Sequence, residues 1–138
     1  MRAALPLLLL VACGDGMNAP HQVLPLSEDP NLTLHVSNQS FAISPVDVRI
    51  TIDGQLAAAG DFEVEGQHSW TTFRFRLPPG PHTLVATTAA GDARLEEVID
   101  VSAARFAALD YWYYPASHYA PTPRHFSLFV SADPILFE

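Results

Sequence analysis

The chain of 138 residues has one cysteine, no lysine and few basic residues of any kind. With Cys13 as its only thiol it can form no intrachain disulfide, so packing alone must stabilise the fold. Its seven basic residues are all arginines, and it has 15 acidic residues, so the net charge is −8. Nucleic acids and anionic membrane surfaces attract clustered basic residues, so this balance argues against both as partners.

Long apolar runs are also missing, apart from a short one at the N-terminus. It follows Arg2, extends from Ala3 to Val11, and ends in small residues and Cys13. That layout is typical of an export signal, and the run is shorter than the roughly 20 apolar residues that a membrane-spanning helix needs. We expect residues 1–12 to be removed as a signal peptide.

The end of this segment, Leu10-Val11-Ala12-Cys13, resembles the lipobox of bacterial lipoproteins. The resemblance implies cleavage before Cys13 and acylation of that residue, and two or more acyl chains give stable anchoring. An ordinary signal peptide with a chance cysteine is the alternative. The lipoprotein interpretation predicts an extracytoplasmic, lipid-anchored protein of the bacterial cell envelope. Gly14 stands where an Asp retains enterobacterial lipoproteins in the inner membrane, which favours the outer membrane.

Beyond the cysteine the chain divides into a tether and one domain. Residues 13–30 mix glycine, asparagine, prolines and acids without a sustained period, which predicts a flexible tether from the lipidated cysteine. Residues 31–138 show no internal repeat and fit a single domain of ordinary size.

The pattern of this domain is period two. Leu32, Leu34 and Val36 alternate with polar residues, as expected for a strand with one buried face and one solvent-exposed face. No window of eleven residues has apolar residues at the spacing of an amphipathic helix. The alternation and the turn residues between runs favour an antiparallel β-sandwich of about seven or eight strands, with a closed barrel as the alternative. The predicted strands are residues 32–37, 46–53, 61–64, 70–77, 82–88, 93–101, 105–114 and 124–131.

One segment carries a family resemblance. Residues 73–101 contain the turn Leu-Pro-Pro-Gly-Pro-His-Thr-Leu between two strands, at positions 77–84. The segment resembles small extracytoplasmic modules of the immunoglobulin-like and prealbumin-like kind, which implies a sandwich fold and no particular activity. A longer stretch, from Gln67 to Pro134, resembles uncharacterised bacterial lipoproteins.

The run 105–114 is apolar on both faces, although a sandwich buries only one face of a strand. Either the proline-rich residues 115–123 fold over its outer face, or that face is an aromatic binding platform. We expect most of the Trp112 ring to be buried, with Tyr114, His118 and Tyr119 at the rim as contact residues. Aromatic rings beside hydrogen-bonding groups suit sugars, peptides or a protein partner.

Catalytic motifs are missing from the sequence. It contains no nucleophile elbow, phosphate-binding glycine loop, HExxH helix or Cys/His cluster, and it predicts no cofactor and no metal. His118 and His125 are the first pair to test for a metal, and a triad built from distant residues stays open. We therefore predict a non-catalytic module that binds or assembles with another envelope component, a protein or a glycan. The alternatives are a carbohydrate-binding module and, third, a small hydrolase.

Overall fold

The computed structural model describes residues 22–64, 70–116 and 120–136. Two sheets of four strands pack against each other, which confirms the predicted all-β sandwich. The predicted signal peptide, Cys13, His118 and Tyr119 lie outside the described residues. The strands are β1 (Leu32–Asn38), β2 (Val46–Ile52), β3 (Gln55–Phe62), β4 (Thr71–Phe75), β5 (Pro81–Thr88), β6 (Ala93–Asp100), β7 (Arg105–Tyr114) and β8 (Thr122–Ser131).

The strand order of the two sheets is not that of an immunoglobulin constant domain. The first sheet runs β4-β1-β7-β8 and the second β3-β2-β5-β6. All neighbours are antiparallel except β1 and β7, which pair in parallel from Leu32 with Arg105 onward. Immunoglobulin constant domains place their fourth strand beside the fifth, whereas here β4 pairs with β1. The order of strands therefore differs from that of an immunoglobulin constant domain.

The core lies between the sheets and follows the predicted alternation. In β2, Val46, Val48 and Ile50 are buried while the intervening Asp47 and Arg49 are partly exposed. The central strands of the first sheet, β1 and β7, do not show this alternation of buried and exposed residues, because side chains on their outer faces are buried as well. On the outer side of β1 and β7, the buried residues are Thr33, Ser37 and Ala108.

The third strand differs from its prediction. Alternation placed it at 61–64, but β3 begins at Gln55, directly after a tight turn in which Asp53 and Gly54 have positive φ angles of 51° and 78°. Its Ala-Ala-Ala-Gly stretch carries no period-two signal, and pairing with β2, rather than local propensity, makes it a strand. A register shift between Ile50 and Thr51 accommodates the pairing.

Residues 22–27, which we call the strap, join the fold although their composition predicted a tether. The Leu24 N–H donates to the Leu56 carbonyl of β3 at 2.8 Å, and the Ser27 N–H donates to the Arg74 carbonyl of β4 at 2.9 Å. Leu24 is buried in the core. The strap therefore crosses from an edge of one sheet to an edge of the other, and the packed part of the chain includes residues expected to be flexible.

The strap also defines the two ends of the sandwich. It contacts Leu56 beside the β2–β3 turn, and we call this end of the sandwich the proximal end. The start of β5 lies at the same end, because the Asp53 N–H of the turn donates to the Thr83 carbonyl. The opposite, distal end carries the β1–β2 loop and the end of β7 at Tyr114. The described residues form no helix long and apolar enough to span a bilayer.

Candidate functional site

The inner face of the aromatic strand β7 is core. Leu109 and Tyr111 are fully buried. The Tyr111 hydroxyl donates to the Gly91 carbonyl at 2.6 Å, and its ring meets that of Phe126 edge to face with centroids 5.6 Å apart. This half of the aromatic stretch holds the two sheets together and is not available to a ligand.

The outer face of β7 carries two of the predicted contact residues. Trp112 and Tyr114 are both partly buried. The Trp112 indole N–H donates to the Ser127 hydroxyl of β8 at 2.9 Å, and the Tyr114 hydroxyl donates to the Gln39 carbonyl at 2.9 Å. These bonds satisfy the polar end of each side chain within the fold and fix the orientation of each ring. The other two predicted contacts, His118 and Tyr119, lie outside the described residues.

A second tryptophan, Trp70, shares this face, and no sequence pattern predicted its position there. The Trp70 indole N–H donates to Asp110 Oδ1 at 2.9 Å, across 40 positions of the chain. The same oxygen accepts the Ser37 hydroxyl at 2.5 Å. Asp110 is the one acidic residue inside an otherwise apolar strand, and that isolation is the signal that could have marked it as an anchor for neighbouring donors.

The strand register assembles these side chains into one surface. Trp112 lies opposite His125, Asp110 opposite Ser127, and Phe129, 60% exposed, opposite Ala108. Directly opposed residues project from the same side of a sheet. We call this outer surface of the first sheet the aromatic face; its members are Trp70, Phe106, Trp112 and Phe129 with the polar His35, Ser37, Asp110, His125 and Ser127.

The electrostatics of the aromatic face are mild. Burial is the largest cause that lowers the pKa of His35 below its ordinary value, and the nearby Arg74 guanidinium is the second. The Asp110 carboxylate raises this pKa, but by less than the other two lower it. The imidazole is therefore neutral at neutral pH, and its Nδ1 lies 2.9 Å from the Thr72 hydroxyl. The face thus presents a carboxylate and a neutral imidazole among aromatic rings, which suits hydrogen-bonding ligands more than strongly charged ones.

An apolar cleft adjoins this surface at the distal end. It has a volume of about 500 Å³ and is lined by Phe41, Ala42, Tyr114 and Pro115. Phe41 is 65% exposed, which is unusual for a large apolar side chain and marks a candidate contact surface. Tyr114 therefore belongs both to the fold, through its hydroxyl, and to a cleft that a partner can reach.

A separate polar cluster at the proximal end is structural. Buried His82 has Nδ1 2.5 Å from the Asp53 carboxylate and Nε2 2.6 Å from the Pro78 carbonyl. Both partners are acceptors, so both ring nitrogens must carry protons. Burial works against this charged form, but the bonds to Asp53 and Pro78 outweigh it and raise the pKa of His82. The cluster ties the β2–β3 turn to the proline-rich turn before β5.

Comparison with protein-family models, curated proteins and solved structures finds no match to this chain. In the part of the chain that is described, no three His, Cys, Asp or Glu side chains form a group that could hold a metal ion. The fold and the site together define a β-sandwich that carries an ordered aromatic surface on one sheet.

Proposed function

We propose that the protein is a non-catalytic, lipid-anchored lipoprotein of the bacterial envelope that binds another envelope component through its aromatic face. The lipobox-like sequence ending at Cys13 supports the anchor and the extracytoplasmic location, with the outer membrane favoured. The ordered aromatic rings on the outside of the sandwich support binding.

One observation carries the binding proposal. Both tryptophans of the chain lie on the same outer face, and each is held by an indole hydrogen bond, Trp70 to Asp110 and Trp112 to Ser127. The core lies on the other side of this sheet, so these rings are not required to fill it. Rings that are already ordered lose little entropy when a partner binds, and tryptophan is enriched among residues that dominate binding energy.

Site-specific photo-crosslinking in cells tests this function. A photoreactive residue in place of Phe129 samples the aromatic face, and one in place of Val98 samples the outer face of the other sheet at a similar exposure, 60% against 65%. We expect a discrete cross-linked product from position 129 that Trp112→Ala removes, and none from position 98. Equal products from both positions, or none from 129, would contradict the proposal.

A carbohydrate-binding module is the second candidate. Aromatic rings beside hydrogen-bonding groups are the arrangement that stacks on sugar rings, and Trp112 opposite His125 provides it. A glycan array separates the candidates: binding that depends on Trp112 identifies a glycan ligand, whereas a protein cross-link without glycan binding identifies a protein partner.

The anchor is tested independently of the binding site. Cys13→Ser should abolish metabolic labelling with palmitate and move the protein out of the membrane fraction, because no other thiol is present to be acylated. Unchanged membrane partition of this variant would refute lipid anchoring and leave the aromatic face untouched.

A further inference from the structure

The two sheets are open to each other along one side of the sandwich, between the edge strands β3 and β4. We call this gap the seam. The strap fills its proximal half, where Val23 pairs with Leu56 and Leu26 pairs with Phe75. The distal half contains a pocket of about 750 Å³, within the range of pockets that bind ligands.

The floor of this pocket combines apolar and polar side chains, and its walls are aromatic. Val36, Ser37 and Asn38 of β1 are buried beneath it, and Phe62, Phe73 and Trp70 form its walls from the two edge strands and the segment before β4. These residues come from both sheets, so an occupant of the pocket touches both edges at once. Apolar side chains of an extended peptide would find the same kind of surface that Leu24 of the strap finds in the proximal half.

The mouth of the pocket is acidic. Asp61 and Glu63 line it with exposed side chains, and neither carboxylate has a hydrogen-bond or ion-pair partner among the described residues. Asp61 also lies directly opposite Asp47 in the β2–β3 register. Asp47 is committed to the β5–β6 turn, where it accepts the N–H groups of Ala89 and Ala90 at 2.9 and 2.8 Å. Like charges in directly opposed positions destabilise a sheet, and a cation bound at Asp61 would offset that cost.

The strap shows which kind of chain the seam accepts. It is extended, it forms a β-bridge with each edge strand, and it inserts an apolar side chain between the sheets. Within the described residues, its hydrogen bonds to β4 stop at Arg74 and those to β3 stop at Leu56. The distal parts of both edges have no such partner in the described chain, and free strand edges bind extended peptides through the main chain.

We propose that the distal half of the seam binds an extended basic segment of a partner protein. The segment pairs with the edge of β3 or β4, places apolar side chains against Phe62 and Phe73, and places lysine or arginine side chains at Asp61 and Glu63. The pocket shares Trp70 and Ser37 with the aromatic face, but its strand edges and its two carboxylates lie outside that face, so it extends the proposed function to a second contact.

Amide shift mapping by NMR on the purified full-length protein tests the site. The probe is the acetylated, amidated peptide Lys-Val-Lys-Val-Lys-Val, with the Glu-Val repeat and a backbone N-methylated Lys-Val repeat as controls. We expect the first peptide to shift amides of residues 59–63 and 71–73, and both controls to fail, because one lacks the positive charge and the other the main-chain donors. Affinity should fall as salt rises, since exposed ion pairs are screened.

Matched variants establish the role of the two carboxylates. Asp61→Asn with Glu63→Gln should weaken peptide binding about tenfold, the equivalent of two exposed ion pairs. Glu97→Gln with Asp133→Asn removes the same charge from exposed positions outside the pocket and should leave binding unchanged. Equal losses from both pairs, binding of the N-methylated peptide, or no binding at all would overturn the proposal.

The same spectra distinguish other occupants. If the seam amides shift with protein concentration in the absence of peptide, a second copy of this chain fills the seam and the proposal is wrong. Failure of peptide binding leaves the cross-link from position 129 unaffected, so the seam and the aromatic face fail separately.

Discussion

Gly91→Ala should be among the most destabilising small substitutions in this protein. Gly91 is buried in the turn between β5 and β6. A β-carbon built on it would lie 2.7 Å from Thr88 Cγ2 and 2.8 Å from Tyr111 Cζ, well inside ordinary van der Waals contact. Neither neighbour can move freely, because Tyr111 is fully buried in the core and the Thr88 hydroxyl is bonded to Asp47.

The magnitude follows from two costs. Overpacking a tight site costs about 1 to 3 kcal/mol. If the Tyr111 ring moves away, its hydroxyl also loses the Gly91 carbonyl, and a buried polar group without a partner costs about 1 to 3 kcal/mol more. We therefore expect a loss of about 2 to 6 kcal/mol, a large part of the roughly 5 to 15 kcal/mol that typically stabilises a domain.

Urea denaturation followed by tryptophan fluorescence measures this loss, and Gly60→Ala is the matched control. A β-carbon at Gly60 would lie 3.9 Å from the Phe62 ring, an ordinary contact, so this variant should stay within about 0.5 kcal/mol of the natural protein. If both variants unfold at the same urea concentration, the packing described around Tyr111 is incorrect.

Three further predictions test the core, the aromatic face and the proximal cluster. Ile50→Ala should cost about 2 to 5 kcal/mol in chemical denaturation, whereas its partly exposed neighbour Thr51→Ala should cost no more than about 0.5; equal losses would refute the register of β2. Trp112→Ala should lower the unfolding free energy by about 1.5 to 3 kcal/mol, as expected for a partly buried ring, and leave a folded protein. If the variant is as stable as the natural protein, and Trp112 fluorescence in the natural protein is red-shifted, the ring is exposed. Because the pKa of His82 is raised above 6.5, its stabilising contribution is complete below pH 6.5 and is lost as pH rises through the raised value. The unfolding free energy should therefore fall with pH above 6.5 in the natural protein and fall less in Asp53→Asn; identical slopes would contradict the ion pair.

Much of the sandwich was predictable because strands such as β2 alternate strictly. The period of two in β2 fixes which side chains face inward, so Ile50 could be assigned to the core. In β7, which is apolar on both faces, the same period places Tyr111 and Trp112 on opposite faces without showing which face is core. The same rule failed for β3, since alanine and glycine carry no facial preference and the strand exists through its pairing with β2.

Contacts between distant segments were beyond sequence reasoning. The Trp70 to Asp110 bond joins residues 40 positions apart, and the parallel pairing of β1 with β7 brings Ser37 to the same carboxylate from 73 positions away. No local pattern encodes such meetings. The strap was hidden for a similar reason: it lies within residues 13–30, whose prolines and acids indicate a loop, and only the free edges of β3 and β4 make residues 22–27 part of the fold.

The strap also determines how the domain would respond to mechanical load. If the chain is held by a lipid at Cys13, a force on the domain is transmitted through residue 22 directly to the hydrogen bonds with Leu56, before it reaches any complete strand. Because those hydrogen bonds are few, the strap would detach from the two sheets first, while the strands within each sheet stay paired. Its detachment would lengthen the segment between Cys13 and the domain. The domain would then reach further from the membrane under tension and return to its shorter form when the tension ends.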